Sequence, residues 1–266
     1  MDLQLAGKVA LVTGGSRGIG RATAAHLARE GAIVAIAARG LDVARATAAD
    51  LTEATGSTVV AIQADMGRYD DIRRLVDAVV STFGPISILV NNAATAGGRA
   101  RPPALADITR DALIAEIDVK VLGYIRAAQC VAPGMKEQGW GRIINVAGLA
   151  ALSTGSTIGS IRNVSVAALT KNLADELGPS GINVTVVHPG LTRTEKTAAL
   201  VQAQAKAQGV AEELVLQRMA EGNSIRHLVD AAEVADVIVF LASPKSVAIN
   251  GDAIAAGGGA PRAIHY

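Results

Sequence analysis

The chain has 266 residues, half of them hydrophobic and 18% charged, which excludes a disordered, collagen-like or low-complexity polypeptide. A formal net charge of +1, from 25 basic against 24 acidic residues, provides no field to gather nucleic acid or anionic lipid. The single Cys130 rules out an intrachain disulfide, the opening Met1 to Leu5 carries no basic-then-apolar leader, and every apolar stretch is broken before the roughly 18 residues of a membrane span, so a cytoplasmic protein is expected.

The first apolar run, Lys8-Val9-Ala10-Leu11-Val12, is short and β-branched and closes on Thr13-Gly14-Gly15, the signature of a buried strand. A helix-period segment follows over 18–30, then a strand over Ile33 to Ala37 and a helix over 41–54. The alternation continues with a strand at Thr58 to Ile62, a helix over 69–82, a strand at Ile86 to Val90 and a long helix over 107–133. Strands at Arg142 to Val146 and Ile182 to Val187 flank a helix over 160–177, and a last helix occupies 230–241. This order predicts a single-domain, doubly wound α/β fold over residues 1–266, with a parallel sheet of about seven strands and helices on both faces. Residues 190–225 lack a partner strand; they read as a lid, with a helix from Ala198 to Gln208.

Chemistry enters at Thr13-Gly14-Gly15-Ser16-Arg17-Gly18-Ile19-Gly20, which ends the first strand and opens the first helix. Small residues there allow a tight turn and let a pyrophosphate reach the free amides of a helix N-terminus. With Asp65 after the third strand, Asn91-Asn92-Ala93 closing the fourth and Pro189-Gly190 closing the sixth, nearly the whole chain resembles the short-chain dehydrogenase/reductase family, a Rossmann-fold family. The resemblance implies that Gly14, Gly18 and Gly20 hold a pyrophosphate, and that Ser16 and Ile19 of the same turn belong to the cofactor-binding set. It further implies that Asp65 meets the adenine, that Asn91 lines the ribose, that Thr194 touches the nicotinamide amide, and that Met66, Ala93, Pro189 and Gly190 belong to the same cofactor-binding set. An acid at the end of the second strand binds a ribose hydroxyl, whereas a base accepts an added phosphate. This chain has Arg39 there and Arg17 within the turn, so NADP(H) is favoured over NAD(H).

The catalytic half departs from the family pattern of a serine, a tyrosine with a lysine four positions later, and an asparagine. Aligning Leu169-Thr170-Lys171-Asn172-Leu173-Ala174-Asp175-Glu176-Leu177 puts Gly159 at the tyrosine position and Asn163 at the lysine position. The preceding strand puts Ala147 or Gly148 at the serine, and Lys120 stands at the asparagine. No tyrosine occurs between Tyr124 and Tyr266 to rescue the motif. Two readings of Lys120 follow: an ammonium moved from one helix to the other, aimed at ribose or substrate, or a surface lysine paired with Asp118 or Glu116. Ser156 and Ser160 lie near the vacated tyrosine and can donate to a substrate oxygen, or simply make turns and caps, with Ser160 capping the following helix. His188, at a strand's carboxyl end, titrates near neutrality or serves as a packed structural group, and Arg162 faces solvent or an anionic substrate.

His26, His188, His227 and His265 are scattered, so no metal site is expected, and no nucleophile elbow of a hydrolase appears. The expected function is an NADP(H)-binding oxidoreductase acting on a small carbonyl or alcohol with a non-standard proton-transfer site. Two alternatives stand: a non-redox lyase, isomerase or hydrolase using the same pocket, and a catalytically silent cofactor-binding protein. The resemblance also implies a homodimer or homotetramer through the helices at 107–133 and 160–177, whose Val121, Leu122, Ile125, Val166, Leu169 and Leu173 exceed what one sheet face needs.

Overall fold

Side chains alternate across a strand, and that alternation sets the layers of this molecule. In β1 (Val9–Thr13), Ala10 and Val12 join one core while Val9 and Leu11 join another, all buried, so the sheet requires cover on both faces. The computed structural model describes residues 1–94 and 102–261; His265 and Tyr266 lie outside them. β2 (Ile33–Ala38), β3 (Val59–Gln63), β4 (Ile88–Asn91), β5 (Gly141–Val146), β6 (Ile182–Pro189) and β7 (Ala253–Ala256) complete a parallel sheet of order β3-β2-β1-β4-β5-β6-β7.

One face is covered by α1 (Gly18–Arg29), α2 (Leu41–Thr55) and α9 (Ala231–Ala242), through Leu27, Leu51 and Ile238. The other is covered by α3 (Tyr69–Phe83), α5 (Gly123–Gln138) and α6 (Thr157–Leu177), through Leu75, Met135 and Leu177. Leu11 and Leu27 are wholly buried, and each such side chain stabilises the fold by about 2–3 kcal/mol through apolar transfer. The sheet grows in opposite directions from β1 and from β4, which opens a crevice at the carboxyl ends of those two strands.

The helix expected over 107–133 is broken: α4 (Arg110–Ile117) passes through a π-helical turn, Asp118–Leu122, into α5, which runs past the expected end to Gln138. Pro133 does not stop α5 because it and Gln129, one turn earlier, both lie on the exposed side, where solvent takes the freed carbonyl. α6 begins three residues before its expected start, capped by Ser156 rather than Ser160, since the Ser156 hydroxyl accepts the Gly159 N–H at 3.1 Å. In the 190–225 segment α7 (Thr197–Gln208) matches the expected helix, and α8 (Glu212–Ala220) was not foreseen.

Of the apolar residues expected at subunit contacts, Val121, Val166, Leu169 and Leu173 join the chain's own core, whereas Leu122 is exposed. Val166 is wholly buried, Val121 and Leu169 pack with Tyr124 and Val186, and Leu173 packs beneath the sheet. Ile114, Leu122, Ile161 and Val164 are the apolar side chains these helices expose. Among the described residues, no helix is long and apolar enough to cross a membrane.

Candidate functional site

The glycine turn is shaped by backbone crowding. Gly14 adopts φ +66°, and a Cβ there would lie 3.0 Å from the Ala93 Cα; at Gly20 a Cβ would lie 2.3 Å from the Gly14 carbonyl oxygen. Thr13 ties this turn to the end of β4, its Oγ1 accepting the Asn92 and Ala93 amides at 3.0 and 3.1 Å. Asn92 closes the loop from the other side by donating its Nδ2 to the carbonyls of Thr13 and Gly14. With no Cβ at Gly14, Gly18 or Gly20, the turn brings its backbone and the start of α1 to the edge of a cleft.

That cleft is a cavity of about 510 Å³. Gly14, Ser16, Arg17 and Gly18 form its floor, and Arg39 flanks it beyond β2. Asp65 and Met66 enter after β3, Ala93 after β4 and Thr194 after β6. The remaining residues of the expected cofactor set stand behind this wall. Ile19 packs on the core, Gly20 backs the turn, and Pro189 and Gly190 close β6, where Pro189 pairs with Ala256 of β7. Asn91 is wholly buried and turned into the sheet, donating to Asn145 Oδ1 at 3.0 Å, so after β4 the cleft is lined by Asn92 and Ala93 instead. Asp65 is oriented by its own loop, with Oδ1 accepting the Gly67 amide at 3.0 Å.

At the positions read as catalytic, Lys120 and Asn163 come together. Lys120 emerges from the π-helical turn, is 4% exposed, and donates from Nζ to the Ala147 carbonyl at 2.9 Å and to Asn163 Oδ1 at 3.0 Å. The wider π turn rotates the side chain inward. Asn163 is fixed in turn by donating Nδ2 to the Gly159 carbonyl at 2.9 Å. The surface reading of Lys120 fails because its expected partners are taken: Asp118 pairs with Arg126 at 3.2 Å and Glu116 with Arg162. Arg162 accordingly faces neither solvent nor a free anion, and it joins α6 to α4.

Burial removes hydration from the ammonium, and the nearby Arg162 guanidinium repels it, while Glu116 offsets only part; together they bring the Lys120 pKa down to about 7. His188 is 1% exposed, with Nδ1 3.0 Å from the Gly148 carbonyl, and so braces the loop after β5. Ser156 is committed to the α6 cap, and Ser160 donates to the Ser153 carbonyl at 3.0 Å. An added Cβ at Gly159 would lie 2.8 Å from Ser156 Oγ, so the capping hydroxyl occupies the room a larger side chain would need.

Three features escaped the sequence reading. Asn145 links Asn91 to Thr170, with Nδ2 donating to Thr170 Oγ1 at 2.9 Å; Glu195 and Lys196 join the cavity wall; and His227, Asp230 and Glu233 bring ligand-type atoms within 4.8 Å of one another. In the last group the acids are already employed: Asp230 and Glu233 form the α9 capping box, and Arg193 donates to Asp230 at 2.7 Å. The Arg193 hydrogen bond holds the Asp230 carboxyl below its usual range, and the Asp230 amide does the same for Glu233.

A parallel sheet with a glycine turn running into α1 and a crevice at the strand order's reversal defines a Rossmann-type protein. Residues 8–205 match the short chain dehydrogenase family, and the chain belongs to that family of oxidoreductases. It is 35% identical over 260 residues to dehydrogenase/reductase SDR family member 4 of Oryctolagus cuniculus, covering 97% of this chain and 95% of that protein. A short-chain reductase of Streptomyces niveus is 33% identical, over 95% of this chain and 94% of its own. The crystal structure of L-sorbose reductase from Gluconobacter frateurii, complexed with NADPH and L-sorbose, superposes with a TM-score of 0.93 at 30% identity, covering 99% of this chain and all of that one. The family binds nicotinamide cofactors, and the cleft fits one: its glycines put no side chain of their own over the start of α1, and two arginines stand in its wall.

Proposed function

We propose that this protein is an NADP(H)-dependent oxidoreductase interconverting a small carbonyl compound and its alcohol, with Lys120 as the proton-transfer group. A nicotinamide bound in the cleft supplies the two-electron transfer. Arg17 and Arg39 favour the form with the additional phosphate, because guanidiniums recognise phosphate through paired charge-assisted hydrogen bonds. The related sorbose reductase, solved with NADPH, supports the same choice.

One observation carries the proton assignment: Lys120 Nζ is held by two acceptors, the Ala147 carbonyl and Asn163 Oδ1. A neutral amine satisfies both with its two protons and keeps a lone pair; an ammonium satisfies both and has a third proton to give. The nitrogen is therefore held in place in either state, as a proton carrier must be. Asn163 positions it, His188 braces the Gly148 loop, and Ser156 and Ser160 fix the start of α6. Residues 190–225, carrying α7 and α8, act as a lid over the substrate side of the cleft.

The test follows absorbance at the nicotinamide wavelength with NADPH and a panel of ketones and aldehydes that includes L-sorbose. Carbonyl reduction, which needs the ammonium, is expected to fall as pH rises through about 7, and alcohol oxidation, which needs the amine, to rise over the same range. Lys120→Met is expected to lower both by about 100-fold or more. Turnover of a panel compound with no absorbance change, or a Lys120→Met variant with the wild-type rate and pH profile, contradicts the proposal.

A further inference from the structure

The N–H groups at the start of α1 are unsatisfied by the helix itself and carry its positive end. One of them is occupied. Both carboxylate oxygens of Glu195, which follows β6 by six residues, lie against the Gly18 amide, at 3.0 and 3.2 Å. Thr194 packs on the same glycine, with its Cγ2 3.4 Å from where a Cβ would stand. The chain immediately before this contact is anchored elsewhere: the Arg193 amide donates to the Val229 carbonyl at 2.8 Å, and its guanidinium grips Asp230. Residue 193 is thus fixed to the start of α9, and residues 194 and 195 bridge from that fixed point to the glycine turn.

We propose that Glu195 is a latch, its carboxylate holding the α1 N-terminus in place of a cofactor phosphate and leaving when the dinucleotide binds, so that cofactor entry and the position of the 190–225 segment are coupled. The inference rests on the reading of the cleft as a dinucleotide site. Its logic is exclusion: the amide that faces the cleft cannot serve a carboxylate and a phosphate together, and two anions at one helix N-terminus repel. Asp65, another acid in the wall, is held by the Gly67 amide and does not compete for α1. The displaced carboxylate has a second place to go. A neighbouring cavity of about 420 Å³ shares Gly18, Thr194 and Glu195 with the cleft and adds Arg21 and Arg29 from α1. A swing about residue 193 carries Glu195 from an amide to guanidiniums, which gives the segment two alternative partner sets rather than a continuum of positions.

The full chain, prepared without cofactor, is titrated with NADPH by fluorescence as wild type, Glu195→Gln and Glu195→Ala, and each is digested briefly with trypsin to follow cleavage after Lys196 and Lys206. Both variants are expected to bind NADPH about 10-fold more tightly, since a competing charge-assisted hydrogen bond is removed. In the absence of cofactor Glu195→Ala is expected to be cleaved several-fold faster than wild type at those sites, with circular dichroism unchanged. Unchanged or weaker NADPH binding in the variants overturns the latch, weaker binding marking Glu195 as a cofactor ligand instead. If no version binds NADPH, the dinucleotide reading of the cleft fails, and cleavage alone decides: equal rates in wild type and Glu195→Ala overturn the latch as well.

Discussion

Lys120 and Asn163 stand 3.0 Å apart across the end of β5, each carrying the residue type that the family pattern places on the other's helix. The burial that suits Lys120 to exchange protons also costs stability. Its pKa is depressed in the folded chain, so between about 7 and its ordinary value the unfolded chain binds more protons, and stability rises with pH across that window. From pH 7 to 9 this contributes about 2 kcal/mol, and Lys120→Met is expected to remove the slope in urea unfolding measured at both pH values. A second prediction concerns the other end of the cleft: Arg39→Ala and Arg17→Ala should each weaken NADPH about 10-fold while leaving NADH nearly unchanged, as read by fluorescence titration. The turn glycines, both arginines and the exchange of lysine for asparagine were legible in the sequence because each is a residue type at a fixed spacing within a motif. Glu195 was not, since its contact with Gly18 spans 177 residues and no local pattern encodes it. The orientation of Asn91 was not legible for a related reason: motif spacing locates the end of β4 but does not say which of two adjacent asparagine side chains turns toward the cleft.

The elements holding the site are the glycine turn, the π-helical turn and the capped start of α6. The turn has no slack at Gly20, where a methyl would lie 2.3 Å from a backbone oxygen that cannot rotate away. Gly20→Ala is expected to destabilise the chain by about 1–3 kcal/mol in urea unfolding and to abolish NADPH binding in the same preparation. Hydrophobic period located the strands and helices to within a few residues, because buried parallel strands read as short apolar runs. It failed where no period exists. β7 is Ala-Ile-Ala-Ala, only half-buried at best along its length, and α8 is nine residues with Val215 alone buried, too short to establish a period. The π turn adds one residue to a helix without changing its composition, so 107–133 read as one continuous helix when its middle is the element that aims Lys120.

Across the whole molecule, the sheet with its two faces forms one continuous body, while α7 and α8 bury a small core of their own around Val201, Ala205 and Val215. A segment whose apolar contacts are mostly internal opens at lower free energy than the strands of the main core. Hydrogen exchange is therefore expected to be faster in 197–220 than in β1 and β4 to β6, and to slow in that segment when NADPH is added; uniform exchange across both regions contradicts a mobile lid. The doubly wound architecture followed from the alternation of runs along the chain, whereas the apolar content of α6 reflects in part its own packing, on both β6 and the π turn, which takes more than one apolar stripe.

Burial of the Lys120 amine, which brings its pKa down to about 7, is measurable without knowing the substrate. Lysine labelled with ¹³C at Cε is incorporated, the Lys120 resonance is identified by its loss in Lys120→Met, and its shift is followed from pH 5 to pH 11. A transition near pH 7 is expected for that resonance, held there by burial and the neighbouring Arg162. A Lys120 resonance that stays in its ammonium position until above pH 10 contradicts it, and leaves the proton step to a group other than this lysine.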